Sequence, residues 1–295
     1  MPPAMTRPLA NRPRDLLVSG HINIDRFLSI RSFPSVDRTV PVLEHRMELG
    51  GTATNIARSA SRLGVATGLV ARVGDGFPEP FLSELAASGI DLRGVERVRG
   101  TPTPTCYILE ETGGAQRTLI DQGAMAHPRY PRTPPPWLKE YSWLHLTTAD
   151  PEFQLRLASS ARERGVHVAA DPAQEIHYRW DRRSFRRLLS NAELLFGNRG
   201  EIARAAEFVG ARRPEALLEF VPVVVRTEGQ HGASAYSRAE RAHVPPVRPR
   251  RVRTLVGAGD AFRGGFYAGW FAGQPLSRCL TAGVRSAGQW IEGRR

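Results

Sequence analysis

Residues Val256-Gly257-Ala258-Gly259-Asp260-Ala261-Phe262 open a segment with helical spacing that runs to Phe271. Glycines at 257 and 259 let the backbone turn tightly and gather several N–H groups. The positive end of a helix adds to them, so Gly257, Ala258 and Gly259 read as an anion hole. Asp260 stands at its mouth. A carboxylate there repels an incoming phosphate unless it has work to do, and the useful work is to accept a proton from an attacking hydroxyl. Phosphoryl transfer needs little else from a protein beyond positioning and charge stabilisation. The competing reading is a plain glycine-rich helix start with Asp260 as a capping residue.

Three further segments could face the same reaction. Gly50-Gly51-Thr52-Ala53-Thr54-Asn55 precedes an amphipathic stretch (Ile56, Ala57, Ala60, Leu63) closed by Gly64. The two glycines allow a backbone to approach a ligand, and Asn55 on the first turn can both donate and accept. Gly20-His21-Ile22-Asn23-Ile24-Asp25 follows a short apolar strand, where polar side chains commonly face a ligand crevice, and Asp25 can accept from two neighbouring hydroxyls of a sugar. Asn198-Arg199-Gly200-Glu201 follows another strand; Glu201 there could hold Mg²⁺ through water or simply compensate a helix dipole. Thr227, Gly229 and Gly232 form a turn after a fourth strand, taken alone a loop. The histidines His21, His145 and His177 show no paired-ligand spacing, and neither GxSxG nor GxxxxGK[ST] occurs, which lowers the hydrolase and P-loop readings.

These residues need a frame that brings them together. Apolar runs at Asp15–Gly20, Leu69–Val73, Trp143–Leu146, Val166–Ala170, Glu193–Phe196 and Pro222–Arg226 read as strands, with short strands near Ala233–Tyr236 and Ala242–Val244. Helical patterns cover 53–63, 81–87, 152–164, 184–189, 201–208, 258–271 and 276–291. Such alternation predicts an α/β fold, a doubly wound, mostly parallel sheet with helices on both faces. Exposed strands within 27–49 and 103–122, the latter a hairpin around Glu111–Ala115, predict a small separate β-sheet. One bare face on such a sheet calls for a bound ligand or the same sheet of a second subunit. Pro128–Pro136 reads as a loop. Residues 1–14, rich in Pro and Arg without an apolar h-region, read as a flexible tail rather than a signal peptide, and residues 15–295 as the folded domain.

The chain has 295 residues, 41% of them hydrophobic, enough for a buried core. No run of about 18 apolar residues suggests a membrane span. The only cysteines, Cys106 and Cys279, are far apart and suit a reducing, cytoplasmic setting. The net charge of +12 raises the question of nucleic acid. Basic residues are spread along the chain and nearly all are Arg, Lys139 being the one lysine. The dense cluster, Arg248, Arg250, Arg251 and Arg253 within 238–253, lacks interleaved aromatics and reads as a solvated loop between strands or an attraction for a nucleotide's phosphates, not as a nucleic-acid site.

Taken in order, Gly50-Gly51 with Asn55 and Leu63-Gly64, Asn198 with Glu201, Thr227 with Gly229 and Gly232, and Gly257-Ala258-Gly259-Asp260 resemble the ribokinase-like (PfkB) carbohydrate and nucleoside kinase family over about residues 15–290. The resemblance implies an α/β core with a β-sheet lid, ATP as phosphate donor with Mg²⁺, and Asp260 as catalytic base beside the anion hole. It places Asn23, Asp25, Gly50, Gly51 and Asn55 on the substrate, and Asn198, Thr227, Gly229 and Gly232 on ATP. Gly20-His21 with Asp25, Phe33-Pro34, Gly123-Ala124, His145–Phe153, and Asp171-Pro172 with Gln174 resemble archaeal-type nucleoside kinases most. That implies a ribonucleoside acceptor, phosphorylated on its 5′-hydroxyl, with Gln122, Asp171 and Gln174 on the substrate side. A sugar such as ribose or fructose as acceptor, and a ligand-binding protein on a degenerate kinase fold, are the alternatives. The sequence departs from the family at Thr254, where an Asp is usual, and at Val256, where a Thr is usual. Loss of that Asp weighs against a monovalent-cation site. Relatives often continue beyond the position of Arg295 with an element bordering the adenine pocket, so unusual nucleotide affinity or donor choice is expected.

Overall fold

The computed structural model describes residues 14–128 and 130–294. The tail expected over 1–14 lies outside them except for Arg14. In chain order the strands are β1 (Arg14–Ser19), β2 (Asn23–Ile30), β3 (Val42–Gly50), β4 (Thr67–Asp75), β5 (Asp91–Pro102), β6 (Thr105–Glu111), β7 (Gln116–Asp121), β8 (Tyr141–Leu146), β9 (His167–Ala170), β10 (Leu194–Asn198), β11 (Val223–Thr227), β12 (Ala233–Ser237) and β13 (Arg241–Val244). The helices are α1 (Thr52–Ser61), α2 (Glu79–Ala87), α3 (Pro151–Glu163), α4 (Arg182–Leu189), α5 (Arg199–Val209), α6 (Ala258–Phe271) and α7 (Leu276–Ile291).

Nine strands form one sheet in the order β13-β12-β11-β10-β9-β8-β1-β4-β5. Every pairing from β11 to β5 is parallel, and β12 is antiparallel to both its neighbours. β1 shows why this sheet is central: Leu16, Leu17 and Val18 are all fully buried, the continuous apolar run of a strand covered on both faces. Leu16 and Val18 pack into a core shared with α1, α2, α6 and α7, whereas Leu17 joins the opposite core with α3, α4 and α5. The doubly wound sheet read from the alternation is present. No helix among the described residues is long and apolar enough to cross a membrane.

The smaller sheet has the order β3-β2-β6-β7. The chain passes between the two sheets at residues 20–22, 51, 103–104 and 122–123. Pairing registers place Glu48, Asp25, Cys106 and Ile120 in one cross-strand row and Met47, Arg26, Tyr107 and Leu119 in the next. Successive residues of a strand point to opposite faces, so the second row lies on the face away from Asp25. The β6–β7 hairpin and the loop over 130–135 match the sequence reading.

Two elements were not legible in the sequence. β5 is a twelve-residue edge strand, masked by Arg93, Glu96, Arg97 and Arg99, which break the apolar pattern and keep the edge from pairing elsewhere. Residues 23–25, read as a ligand-facing segment after the first strand, begin β2.

Candidate active site

The first turn of α6 carries the acid. Gly257 precedes it with φ 80°, and no side chain caps the turn. A Cβ on Gly257 would stand 2.8 Å from the Trp290 ring and 3.0 Å from Asn55 Nδ2, so both conformation and space require glycine. An uncapped helix start leaves donors and the positive end of the dipole for an anion. Ala258 N–H turns back to Leu255 O at 3.2 Å, which closes the loop. Asp260 is half-buried at this turn and accepts a hydrogen bond from Asn55 Nδ2 at 3.0 Å. Desolvation pushes its carboxyl up to about 7, against the opposing charge of Arg263 and the Asn55 bond, while the charges of Asp171 and Asp25 add to the rise. A carboxylate poised near neutral pH suits a general base.

A second polar group is built from the crossings between the sheets, where the sequence reading expects the acceptor. Asp25 is buried on β2, and a Cβ on Gly50 would overlap its carboxylate. Gly50 is therefore the residue that makes room for Asp25. Asn23 is buried as well, and its Oδ1 has no hydrogen-bond partner among the described residues. Gln122 is held by His21: the ring's Nε2 lies 2.6 Å from Gln122 Oε1, and its Nδ1 lies 2.7 Å from the Thr148 hydroxyl and 3.0 Å from the Thr148 carbonyl oxygen. Burial lowers the His21 pKa to about 4, so the ring is neutral and fixes the Gln122 amide. Gln174 is exposed, next to Ala173, a non-glycine residue with φ 48°. Asp171 is different. It is fully buried, with both oxygens bound by Arg263 and a contact to His145. Its side chain supports the site from beneath.

On the other side, Asn198 and Glu201 form a reciprocal capping box at the start of α5: Asn198 Oδ1 accepts from Glu201 N–H (3.0 Å), and Glu201 Oε2 accepts from Asn198 N–H (2.7 Å). Burial raises the Glu201 pKa. Thr227 ends β11, and Gly229 and Gly232 both have positive φ in the turn that follows. Within that turn Glu228 binds Ser234, Arg226 and Arg199. Burial works to raise its carboxyl, but these partners hold it at about 2.

Sequence reasoning missed the braces of the anion loop. Trp290, near the end of α7, donates from Nε1 to Val256 O at 2.7 Å. Thr254 Oγ1, at one of the departures from the family pattern, accepts from Val256 N–H at 3.2 Å. The peptide units on both sides of Val256 are thus held by side chains, one through its N–H and the other through its C=O. His21, taken for a packing residue, orients Gln122. Arg263, on the same helix as Asp260, had no signal beyond its position in a helical run.

A poised carboxylate at an uncapped helix start, where a doubly wound sheet meets a small β-sheet, fits a phosphotransferase acting on a hydroxyl group. The chain belongs to the pfkB family of carbohydrate kinases, whose description, pfkB family carbohydrate kinase, matches residues 13–294. It is 32% identical over 268 residues to a nucleoside kinase of Methanothermobacter thermautotrophicus, covering 90% of this chain and 85% of that one. It is 29% identical over 277 residues to a cytidine kinase of Thermococcus kodakarensis, covering 92% and 94%. Its fold matches the crystal structure of Methanocaldococcus jannaschii nucleoside kinase, an archaeal member of the ribokinase family, with a TM-score of 0.86 at 24% identity, covering 95% and 93% of the two chains.

Gly50→Ala should displace the Asp25 carboxylate and raise the KM for the hydroxyl acceptor roughly 10–100-fold, about 1.4–2.8 kcal/mol of binding, while the KM for the phosphate donor stays close to wild type. Steady-state kinetics with each substrate varied in turn check this.

Proposed function

We propose that the chain is an ATP-dependent nucleoside kinase that phosphorylates the 5′-hydroxyl of a ribonucleoside, with Asp260 as general base. The observation that carries this reading is the Asp260 carboxyl, shifted to about 7 and bonded to Asn55 at the uncapped start of α6. The nucleoside and cytidine kinases among its relatives support the acceptor class. The buried Asp25 carboxylate and Asn23 Oδ1 supply acceptors for the vicinal 2′- and 3′-hydroxyls of a ribose, and Gln122 and Gln174 stand on the same side for the base.

Asp260 takes the proton of the 5′-hydroxyl as the alcohol oxygen forms a bond to the γ-phosphorus. The bond from that phosphorus to the β–γ bridging oxygen breaks, and ADP leaves. The N–H groups of Gly257 and Gly259 and the positive end of α6 stabilise charge on the transferred oxygens, while that of Ala258 is engaged by Leu255 O. Asn55 aims the carboxylate, and the small sheet closes over the acceptor so that water does not compete for the phosphoryl group. Asn198, Thr227, Gly229 and Gly232 lie along ATP. Mg²⁺ neutralises phosphate charge when bound with ATP. Glu201 would hold it through water, one of its oxygens being engaged in the capping box. Mg²⁺ keeps several waters and takes one or two carboxylates plus substrate phosphates, which fits a chain in which no cluster of three metal-ligating side chains occurs among the described residues.

The face of the small sheet away from Asp25 exposes Met47, Tyr107 and Leu119 in one row. We infer that the same face of a second subunit covers it.

Asp260→Asn should lower turnover by about 10²–10⁴-fold while ATP still binds, as read by ADP release and calorimetry. Wild-type kcat/KM should fall as pH drops through about 7, because the base must be ionised. Against a panel of ribonucleosides, 2′-deoxynucleosides, ribose and fructose, ribonucleosides should give the highest kcat/KM; a sugar in first place would overturn the acceptor class. Turnover should be equal in potassium and tetramethylammonium salts, since Thr254 and Trp290 already hold the Val256 peptide units; stimulation by K⁺ would contradict it. Leu119→Glu should convert a dimer to a monomer in sedimentation velocity without loss of fold, and an unchanged mass would refute the covering subunit.

A further inference from the structure

Beneath the first turn of α6 runs a buried polar chain that the transfer step does not use. Arg263, one turn after Asp260, is 5% exposed. Its Nε donates to Asp171 Oδ2, its Nη2 to Asp171 Oδ1 at 2.8 Å, and its Nη1 to the Gly259 carbonyl oxygen at 3.0 Å. Asp171 also accepts from His145 Nε2 (3.2 Å), and His145 Nδ1 accepts from the Tyr267 hydroxyl (2.8 Å). Burial lowers the His145 pKa, which keeps the ring neutral in that tautomer. The chain closes on α6, because Tyr267 lies one turn beyond Arg263. It ties β8 and the end of β9 to the helix that carries the base.

Two observations separate this arrangement from ordinary packing. First, a buried ion pair contributes little net stability compared with apolar side chains of similar volume. Here the surroundings are apolar, with Phe196 against both the His145 ring and the Arg263 guanidinium. The Arg263 charge also acts on Asp260, whose ionised form it favours. Second, the remaining arm of the guanidinium reaches the carbonyl of the peptide that joins Gly259 to Asp260. The peptide is planar with its C=O and N–H opposed. Holding the oxygen inward aims the Asp260 N–H at the open end of the helix, where the phosphate arrives.

We propose that Arg263, clamped by Asp171, is a positioning residue for phosphoryl transfer: it fixes the Gly259–Asp260 peptide of the anion hole and supplies the positive charge that faces the base. This role rests on the reading of Asp260 as general base. The groups facing Asp260 are Arg263 on α6, Asp171 after β9, Asp25 on β2 and the neutral Asn55 on α1, while Glu201 on α5 faces Arg263. Burial raises the Asp260 pKa and Arg263 opposes it. Without the cation the base is protonated at higher pH, so the acid limb of kcat/KM moves up.

The test compares Arg263→Met, the double variant Arg263→Met/Asp171→Asn, and Arg263→Lys, with Asp260→Asn alongside, each checked for ATP binding and thermal unfolding. Arg263→Met should lose turnover about 100-fold, the scale of a displaced catalytic geometry, with its acid limb shifted to higher pH. The double variant removes opposite charges together, so its limb should return toward wild type while turnover stays low. Arg263→Lys restores the charge without the planar fork; its limb should match wild type and its turnover should remain below it. A residue with only a packing role would change the unfolding temperature and leave the limb in place. An unmoved limb in Arg263→Met, or wild-type turnover in Arg263→Lys, overturns the proposal, and the second readout decides if the methionine variant does not fold. An active Asp260→Asn would instead remove the reading of the base itself.

Discussion

The site depends on one contact, the hydrogen bond from Asn55 Nδ2 to Asp260 Oδ2, which joins the first turns of α1 and α6. One helix follows a strand of the small sheet and the other follows the basic loop after β13, so the contact is where the proposed acceptor side and phosphate side meet. It is aimed by packing rather than by its own strength. Ile56, Ala57 and Ala60 of α1 and Phe262 and Phe266 of α6 share one core, and burying each large apolar side chain contributes about 1.5–3 kcal/mol. A hydrogen bond to a charged group contributes about the same once. Ser59 Oγ, which donates to Ala261 O at 3.3 Å, adds a second polar tie between the helices. The apolar interface therefore sets the distance between the helices, and Asn55 sets the direction of the carboxylate.

The sheet and the motif order were legible because they are local. Gly50, Gly257 and Asp260 announce themselves within a few residues, and the apolar runs of β1, β4, β8 and β10 are unbroken, as strands covered on both faces must be. β5 was hidden because an edge strand can afford arginine and glutamate on its exposed positions. Asn23 and Asp25 were read as ligand-facing residues after the first strand; nothing within six residues says that they start a strand of the second sheet. The braces were illegible for a different reason. Trp290 lies 34 positions from Val256, and Asp171 lies 92 positions from Arg263. Arg263 in isolation is one more arginine in an arginine-rich chain, and Asp171 in isolation invites a substrate contact that its full burial turns into support.

The hardest requirement on this site is electrostatic, and the layout answers it with opposed charges. A general base must be shielded from water to act on a buried hydroxyl, yet shielding favours its neutral, useless form. Asp25 and Asp171 make this worse, since each adds negative charge near Asp260. On the proposed mechanism two of the three carboxylates, Asp260 and Asp25, are the base and the hydroxyl ligand. The third, Asp171, is matched directly by Arg263, whose pull outweighs burial and holds the Asp171 carboxyl at about 2. In the proposed mechanism, closure of the small sheet over the acceptor would strip more water from Asp260 and favour its neutral form, whereas the guanidinium beneath it would lose no strength in a drier site, because attraction grows as the local dielectric falls. A buried cation on the base's own helix is thus a counterweight that strengthens as the desolvation it opposes increases.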